Sequence, residues 1–319
     1  MHILLCSDTA YFQHLLVTLC SIINSNENNE ICFHIFGNGL EKRCKNIVVD
    51  ILKKYPQKQC VFYDIENIEE KLGRKVNVEL SINVYMRLFV TAYIPTSVQK
   101  ILYLDSDVIV REDLSPLFDI EMSSYDIAAV KGTMDNKNGD LPHINSGVIL
   151  FNLARCRKNN ALPTYISIIE KNEGYLQFHD QTVLFEAHKG AIYYLDLKYN
   201  VTTPINYLSY KRMCMFYSLS EYYNEDMYNN ARKHPVITHM TSWVFGRPWA
   251  KKSCHPNHKE YVDILLGIKY DYQLVGSRKK NYLFYLFLYR FCPIWILRTK
   301  SYIVRFIKNL KNQISATNR

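Results

Sequence analysis

The first third of the chain alternates short apolar runs with helical patterns, and this alternation most constrains the fold. Apolar runs over residues 2–6, 31–36 and 60–65 are separated by helical stretches over residues 11–24 and 41–55. The βαβαβ order predicts an α/β fold with a mainly parallel sheet and helices on both faces. In such sheets, ligands bind at the carboxyl ends of the strands. We therefore expect a functional site where these strands end.

Two carboxylates interrupt a later apolar stretch, YLDSDVIV, at residues 103–110. Alternation along a strand would put Asp105 and Asp107 on one face, where they would form a hard-oxygen site for Mn²⁺ or Mg²⁺. Such a cation would neutralise a nucleotide diphosphate and stabilise it as a leaving group. The alternative is a strand-end turn with solvated carboxylates. Asp8 follows the first predicted strand, so the same cleft could collect all three aspartates.

Further elements are predicted along the chain: helices over residues 83–93 and 154–172, strands over residues 126–131, 143–153 and 235–239, and a helix whose first turn carries Asp180 and Gln181. The start of a helix favours anionic ligands. Together with Asn145, these two residues could bind sugar hydroxyls, because amides and carboxylates offer the donors and acceptors that sugars require. Asp180 could equally be a helix cap. Arg87 could pair with a carboxylate of the site or with one that stabilises the fold.

His239 and the loop after it carry a possible ligand and several cationic groups. The imidazole of His239 could bind a metal such as Mn²⁺, or it could be a hydrogen-bonded histidine at the end of a strand. Gly246, Arg247 and Lys251 would suit phosphate binding. The same loop could also be an ordinary solvated basic surface.

Charge divides the chain into two parts. The net charge is +9, yet residues 278–319 hold ten Lys and Arg and no Asp or Glu, so the first 277 residues carry a net charge of −1. The composition, 48% hydrophobic and 13% aromatic, allows a substantial core. We predict a body over residues 1–276 and a basic, aromatic tail over residues 277–319.

The cysteines and the beginning of the chain predict a cytosolic protein. Nine dispersed cysteines without a close CxxC pair indicate reduced thiols rather than a disulfide framework or a zinc site. No export signal precedes the first predicted strand. The single sequon, at Asn200, is therefore interpreted as a chance tripeptide.

Six motifs occur in an order that resembles one enzyme family. They are CSDTAY, INVYMRL, YLDSDVIV, HINSGVILFNL, HDQTVLF, and a histidine followed by a basic residue, Pro and Trp. Over residues 2–261 this order resembles the family 8 retaining glycosyltransferases, especially the bacterial lipopolysaccharide galactosyl- and glucosyltransferases. The resemblance implies a GT-A (Rossmann-like) fold, a UDP-sugar donor and Mn²⁺, with Mg²⁺ as a second possibility.

The resemblance also implies roles for individual residues. By position, the metal ligands are Asp105, Asp107 and His239. The resemblance assigns contacts with the uracil and its surroundings to Asp8 and Tyr11. It also places Ser106 among the residues that bind the donor. The residues that match donor-sugar positions are Arg87, Asn145, Ser146, Asp180 and Gln181. Gln181 is placed on the face of the sugar opposite the leaving phosphate. The resemblance assigns catalysis to Asp180 and Gln181. The loop that would close over the diphosphate contains Gly246, Arg247 and Lys251.

Two positions depart from the family pattern. Glu79 stands where close relatives can have a histidine near the diphosphate, so that contact is not carried over. The stretch between His239 and Arg247 is longer than the family's compact pattern. Arg247, which precedes Pro248 and Trp249, is our choice for the cation that contacts the diphosphate.

The implied reaction moves galactose or glucose from a UDP-sugar to an acceptor with retention of configuration. The acceptor is a glycan or a lipid-linked glycan, either lipopolysaccharide core or another surface glycan. Retention requires either a double displacement or a front-face route. Because Gln181 is a poor nucleophile and Asp180 can hold sugar hydroxyls, we expect front-face substitution in which a UDP phosphate oxygen helps to remove the acceptor proton. The alternative function is a UDP-sugar-binding or hydrolysing protein without a dedicated glycan acceptor.

The tail pattern predicts attachment to a membrane surface. Its apolar runs, residues 282–289 and 291–297, are shorter than the ~20 residues that cross a bilayer. Apolar residues then recur at helical spacing among cations, a pattern typical of interfacial helices, at Tyr302, Ile303, Phe306, Leu310 and Ile314. A helical cap on the body is the alternative, and no motif supports nucleic-acid binding. We expect peripheral attachment to the anionic cytoplasmic face of the inner membrane.

Overall fold

The computed structural model describes residues 1–76, 81–133, 143–219, 222–268, 270–276 and 281–294. Glu79 lies outside the described residues. The strands are β1 (His2–Asp8), β2 (Ile31–Asn38), β3 (Lys58–Asp64), β4 (Lys100–Leu104), β5 (Val108–Val110), β6 (Ile127–Lys131), β7 (Ile144–Asn152), β8 (Ile192–Tyr194), β9 (Val201–Thr202) and β10 (Ile237–His239).

The helices lie between the strands and on both sides of the main sheet. The α-helices are α1 (Phe12–Ser25), α2 (Lys42–Leu52), α3 (Ile68–Lys71), α4 (Val90–Tyr93), α5 (Ser115–Phe118), α6 (Leu153–Lys158), α7 (Ala161–Lys171), α8 (Asp180–His188), α9 (Thr203–Tyr207), α10 (Tyr210–Tyr217), α11 (Glu225–Lys233), α12 (His258–Gly267) and α13 (Tyr282–Phe291). Two 3₁₀ helices span Ile82–Phe89 and Leu197–Tyr199.

Seven strands form the main sheet in the order β3-β2-β1-β4-β7-β6-β8. The first four of these run parallel to one another, β7 is antiparallel to both of its neighbours, and β8 is parallel to β6. The prediction of a mainly parallel α/β sheet flanked by helices is confirmed. The strand order reverses between β1 and β4, and the carboxyl ends of strands at such a switch point are where these sheets bind ligands.

Alternating side chains along β1 supply two cores, one on each face of the sheet. Ile3 and Leu5 pack with α1 and α2, while Leu4 packs on the opposite face with the 3₁₀ helix Ile82–Phe89 and with α6 to α8. The sequence of α2 explains its position, because its buried residues Cys44, Val48 and Leu52 recur every four positions along one face.

The stretch over residues 103–110 is not one strand. β4 ends at Leu104 in the main sheet, and β5 begins at Val108 in a three-stranded sheet, where it pairs antiparallel with β10. Asp105 and Asp107 therefore lie in the turn that joins two sheets. The expectation that strand alternation places both carboxylates on one face was wrong, because the chain changes sheets between them.

Two predicted helices also differ in form. The segment expected to be one helix over residues 83–93 is a 3₁₀ helix followed by the short α4. The helix expected over residues 154–172 is broken into α6 and α7 at Asn160, whose φ of 50° is left-handed. Pro163 accounts for the break, because a proline inside a continuous helix removes a backbone hydrogen bond and clashes with the preceding turn.

The described part of the predicted tail, residues 281–294, contains α13, which packs on the body by one face. The Tyr289 ring lies 5.1 Å from the Trp243 ring between centroids, and Arg212 donates hydrogen bonds to the carbonyls of Tyr289 (2.7 Å) and Cys292 (2.8 Å). The five tail positions between Tyr302 and Ile314 lie outside the described residues. Within the part of the chain that the structure describes, no helix is long and apolar enough to cross a membrane.

Candidate functional site

The site lies where β1 and β4 end. Asp8 closes β1, and its carboxylate is held by neighbouring groups: Oδ1 accepts a hydrogen bond from the Tyr11 backbone N–H (2.7 Å) and Oδ2 accepts one from Asn83 Nδ2 (2.6 Å). Asn83 is itself positioned by Asn38, whose Nδ2 donates to Asn83 Oδ1 at 2.8 Å. Asp8 therefore stands at the edge of the site within a fixed network.

The turn after β4 is fixed by contacts with three other segments. The Asp105 N–H donates to the Gly147 carbonyl of β7, and Ser106 Oγ donates to the Cys6 carbonyl of β1, each at 2.8 Å. The Asp107 carbonyl accepts a hydrogen bond from the Met240 N–H, just after β10, at 2.9 Å. Both aspartates are thus held by the backbone of surrounding strands.

His239 completes a cluster with these two aspartates. One ligand atom from each of Asp105, Asp107 and His239 lies within 4.8 Å of the others. His239 Nε2 is 3.1 Å from Asp107 Oδ1 and 3.7 Å from Asp105 Oδ2. Two carboxylates and an imidazole form a donor set that fits a divalent cation such as Mn²⁺, with positions left for substrate oxygens.

Asn200 orients the imidazole of His239. Its Oδ1 lies 3.0 Å from His239 Nδ1, so that nitrogen carries the proton that is donated to Asn200, and Nε2 is turned toward the carboxylates. Asn200 is only 1% exposed, and its Nδ2 donates to Asn145 Oδ1 at 2.8 Å. Asn145 Oδ1 also accepts the Gly147 N–H at 3.0 Å. The predicted donor-sugar residue Asn145 therefore supports the cluster through Asn200.

Electrostatic coupling is strong within the cluster. Burial alone would raise the pKa of Asp107, but His239 and then Arg247 hold it well below its usual value. Burial alone would lower the pKa of His239, yet the neighbouring Asp107 raises it above its usual value. The two pKa shifts have one cause: Asp107 and His239 form a pair in which the negative carboxylate stabilises the protonated imidazole. A metal ion on Nε2 would take the place of that proton.

Gly147 provides the space in which the cluster forms. A Cβ at this position would stand 2.4 Å from His239 Cε1, 2.7 Å from His239 Nδ1 and 2.9 Å from Asp105 Oδ2. Any side chain at Gly147 would therefore push His239 away from Asp105.

Replacing Gly147 with Ala is expected to weaken Mn²⁺ binding at least about tenfold and to lower the free energy of unfolding by about 1–3 kcal/mol, because the added methyl group overpacks a rigid site. Calorimetric titration and denaturant unfolding measure the two effects. The matched control is Gly267→Ala at the end of α12, where a Cβ meets nothing within 4 Å. Equal Mn²⁺ affinity in the two variants would show that Gly147 does not shape the site.

Arg87 links the cluster to α8. The guanidinium is 5% exposed, and its Nη2 lies 2.9 Å from Asp105 Oδ1 while its Nε lies 3.4 Å from Asp180 Oδ2. It also stacks over the Tyr103 ring at 4.2 Å and donates to the Ser146 carbonyl at 2.7 Å. The sequence left open whether Arg87 pairs with a carboxylate of the site or with one that stabilises the fold. In the structure the same carboxylates, Asp105 and Asp180, serve both purposes.

Asp180 and Gln181 begin α8 beside this guanidinium. The N-cap of α8 is His179, with a φ of 51°, so the interpretation of Asp180 as the cap was wrong. Among the described residues Asp180 Oδ2 makes no hydrogen bond, and burial raises the pKa of this carboxyl although Arg87 opposes the shift. Gln181 Oε1 accepts the Ser146 N–H at 2.9 Å. Asp180 therefore has an acceptor atom available beside the cluster.

The loop after β10 brings a second cation to the cluster. Arg247 Nη1 lies 2.5 Å from Asp107 Oδ2 and donates to the Met240 carbonyl at 3.2 Å, while the guanidinium is 5.1 Å from the centre of the Trp249 ring. Gly246 precedes it with a φ of 79°, and its N–H closes a tight turn on the Trp243 carbonyl. The extra residues between β10 and Arg247 are thus accommodated in this turn.

Tyr11 and Lys251 differ in their exposure around this loop, because Tyr11 is partly buried and Lys251 is exposed. The Tyr11 ring packs edge-on against Trp249, and burial, with Asp107 next, raises its pKa well above the usual value. The Lys251 side chain is exposed, while its backbone N–H donates to Gly276. The structure therefore brings Arg247, rather than Lys251, to the cluster.

Two residues that build the site were not predicted from the sequence. Asn200 was interpreted only as part of a chance sequon, and no local pattern connects it with His239. Gly147 lies within the motif HINSGVILFNL, but the importance of that glycine becomes visible only when β7 is placed against β4 and β10.

Comparison with known proteins gives a consistent result. The family model for glycosyl transferase family 8 matches residues 2–253. General stress protein A of Bacillus subtilis is 24% identical over 283 residues, which cover 85% of this chain and 95% of that protein. A lipopolysaccharide 1,2-glucosyltransferase of Escherichia coli K12 is 21% identical over 272 residues, which cover 80% of this chain and 74% of that protein.

A solved structure shares the fold. The crystal structure of the galactosyltransferase LgtC in complex with donor and acceptor sugar analogues superimposes with a TM-score of 0.70 at 23% sequence identity, over 85% of this chain and 97% of that one. At this level of identity the likeness concerns the fold, which is of the GT-A type.

Proposed function

Because the chain belongs to glycosyl transferase family 8, we propose that it moves galactose or glucose from a UDP-sugar to a glycan acceptor, in a metal-dependent reaction that retains configuration. The observation that carries this proposal is the convergence of Asp105, Asp107 and His239 at the switch point of the sheet, with Arg87 and Arg247 on either side. The arrangement joins a cation site to two guanidinium groups, a combination suited to binding a diphosphate.

Asp105, Asp107 and His239 would hold Mn²⁺, with Mg²⁺ as an alternative. When bound, the cation supplies positive charge that stabilises the departing diphosphate. Arg247, which reaches Asp107 in this structure, is the protein cation best placed to bind a phosphate oxygen. Asp8 and Tyr11 lie at the end of β1 beside this loop, where we assign contacts to the uracil and its surroundings.

We assign the binding of the donor sugar to the residues around the start of α8. Asp180 Oδ2 offers a buried hydrogen-bond acceptor for a sugar hydroxyl, and Arg87 keeps this carboxylate oriented. Gln181 and Ser146 are joined by a hydrogen bond and form the adjacent wall. Ser106, which ties the aspartate turn to β1, belongs to the same donor-binding surface.

We assign retention to a front-face route. Asp180 is 5% exposed and lies against Arg87, a position suited to holding a hydroxyl group rather than to attacking an anomeric carbon. Gln181 contributes an amide, which is a weak nucleophile. Leaving-group and acceptor then meet on the same face of the sugar, and a phosphate oxygen of UDP takes the acceptor proton. Mass-spectrometric detection of a glycosyl adduct on Asp180 would contradict this route.

The acceptor is assigned to lipopolysaccharide core or another surface glycan. Support comes from relatives named lipopolysaccharide 1,2-glucosyltransferase. A panel of UDP-sugars with Mn²⁺, scored for UDP release and for transfer to truncated lipopolysaccharide core, tests the assignment. We expect one UDP-hexose to be consumed with stoichiometric transfer. UDP release without transfer to any glycan would instead indicate a UDP-sugar hydrolase.

We also propose that the protein attaches to the anionic cytoplasmic face of the inner membrane through its tail, the 277–319 segment. Support comes from α13, where four apolar side chains are 58–64% exposed: Leu283, Phe284, Phe287 and Phe291. Tyr289 on the other face packs against the body, so these four side chains are held outward on an anchored helix. The cations of residues 278–319 would add attraction to anionic lipids.

Replacing Phe284 and Phe287 together with Ser is expected to weaken binding to anionic liposomes at least about tenfold, because burying each such side chain contributes about 1.5–3 kcal/mol. Cosedimentation of the full chain with phosphatidylserine-containing vesicles measures the effect. The control pair is Tyr175→Ser with Leu266→Ser, two equally exposed apolar residues elsewhere on the body. Equal loss in both pairs, or no liposome binding by the unaltered chain, would contradict membrane attachment through α13.

A further inference from the structure

A second group of metal-ligating side chains lies on the main sheet, toward the opposite ends of β1 and β2. His2 on β1 lies opposite Cys32 on β2 in the register of these strands. His34 lies two positions after Cys32 on β2 and therefore on the same face of the sheet. One ligand atom from each of the three lies within 4.8 Å of the others. Asp8 lies six positions after His2 on β1, which is about 20 Å at the rise of a β-strand. The group is therefore separate from the aspartate cluster.

The spacing of these atoms is close to that of a tetrahedral metal site. Zinc bond lengths to imidazole nitrogen and thiolate sulfur place neighbouring ligand atoms about 3.3–3.7 Å apart. His2 Nδ1 and His34 Nε2 are 3.0 Å apart in this structure. A small separation of the two rings would admit a cation between them, with Cys32 Sγ as the third ligand.

The surroundings of His34 resemble those of a ligand histidine. Its Nδ1 is hydrogen-bonded to the Tyr63 hydroxyl at 3.0 Å, which directs Nε2 toward His2 and Cys32. His34 is 2% exposed, whereas His2 and Cys32 are partly exposed and leave a route for entry of an ion. Tyr63 lies on β3, so the network extends across three adjacent strands.

We propose that His2, Cys32 and His34 form a second metal site, selective for a borderline cation such as Zn²⁺. One sulfur and two nitrogen ligands favour Zn²⁺ over Mn²⁺ or Mg²⁺, which prefer the carboxylate oxygens of the aspartate cluster. Binding forms one S–metal and two N–metal bonds, and the proton of the Cys32 thiol is released to solvent. The bound ion would join β1 to β2, leaving one position of a tetrahedral shell for water.

The zinc site was not expected from the sequence, because cysteine spacing alone indicated none. The three ligands are contributed by two strands, and only the pairing of β1 with β2 brings His2 to Cys32. The pattern Cys-x-His at residues 32–34 is the local signal, since residues two apart in a strand share a face.

Cobalt(II) provides a test, because a thiolate ligand produces a sulfur-to-cobalt charge-transfer band in the near ultraviolet that oxygen and nitrogen ligands do not. The full chain, stripped of metal and reduced, is titrated with Co²⁺ and then with Zn²⁺. We expect one equivalent of Co²⁺ to produce the band and Zn²⁺ to abolish it. Cys32→Ser should remove the band, and His2→Gln should weaken Co²⁺ binding at this site at least tenfold.

The matched control is Cys60→Ser. Cys60 lies on the neighbouring β3 but packs in the core on the opposite face of the sheet, so its removal should leave the band unchanged. Circular dichroism and Mn²⁺ binding at the aspartate cluster report whether each variant is folded. Absence of the band from the unaltered chain, or its persistence in folded Cys32→Ser, would overturn the proposal and leave His2 and His34 as a hydrogen-bonded pair only.

Discussion

Replacing Asp107 with Asn is expected to lower the rate of sugar transfer at least about a thousandfold while the chain remains folded. Asp107 contacts both His239 and Arg247, so it is the point at which the proposed cation and the basic loop meet. Losing one carboxylate ligand removes several kcal/mol of charge stabilisation from the departing diphosphate, and each 1.36 kcal/mol corresponds to a factor of ten in rate. Transfer rates at saturating UDP-sugar and Mn²⁺ measure the effect.

Asp119→Asn is the matched control for this change. Asp119 is exposed, follows α5 on the same stretch of chain, and loses the same charge when replaced. We expect its transfer rate to be unchanged. If Asp107→Asn retained activity comparable to that of Asp119→Asn, the aspartate turn would have no part in the reaction.

Replacing Arg87 with Ala is expected to lower the free energy of unfolding by about 3–5 kcal/mol, the range observed when one partner of a buried ion pair is removed. The guanidinium lies between Asp105 and Asp180, and its loss would leave two mutually repelling carboxylates without their cation. Transfer activity should fall as well, because Asp105 belongs to the proposed cation site. Denaturant unfolding of the metal-free chain measures the stability term separately from activity.

Two further variants separate the charge effect from the loss of packing. Arg87→Ala combined with Asp180→Asn should regain part of the lost stability, since it removes one of the stranded charges. Arg43→Ala, which breaks an exposed ion pair with Glu41, should change the free energy of unfolding by less than about 1 kcal/mol. A cost for Arg87→Ala as small as that for Arg43→Ala would mean that the buried network does not stabilise the fold.

The fold was predictable where the hydrophobic pattern is local. β1, α1 and β2 form close to the predicted positions, because a buried parallel strand is an apolar run and α1 is apolar along most of its length. The exchange of sheets after Leu104 was not predictable, because both halves of YLDSDVIV satisfy the same β pattern. Only the pairing of β5 with the distant β10 determines that the strand ends.

The site was predictable in part, mainly through residue types at the ends of strands. Asp105, Asp107 and Arg87 were singled out by charges in or beside apolar segments, and the structure places them in contact through one network. Asn200 and Gly147 act through neighbours that are distant in sequence, so neither composition nor periodicity reveals them. The loop after β10 brings Arg247 to the cluster and leaves Lys251 exposed, and this difference likewise depends on the turn at Gly246.

The most direct test of the central claim is a crystal structure of the protein with Mn²⁺ and UDP, with anomalous diffraction data collected above the manganese absorption edge. We predict an anomalous peak within coordination distance of Asp105, Asp107 and His239, with the UDP diphosphate bound to the same ion and Arg247 turned from Asp107 toward a phosphate oxygen. A peak at another position, or UDP bound with its diphosphate away from the aspartate turn, would contradict the assignment of this cluster as the donor site.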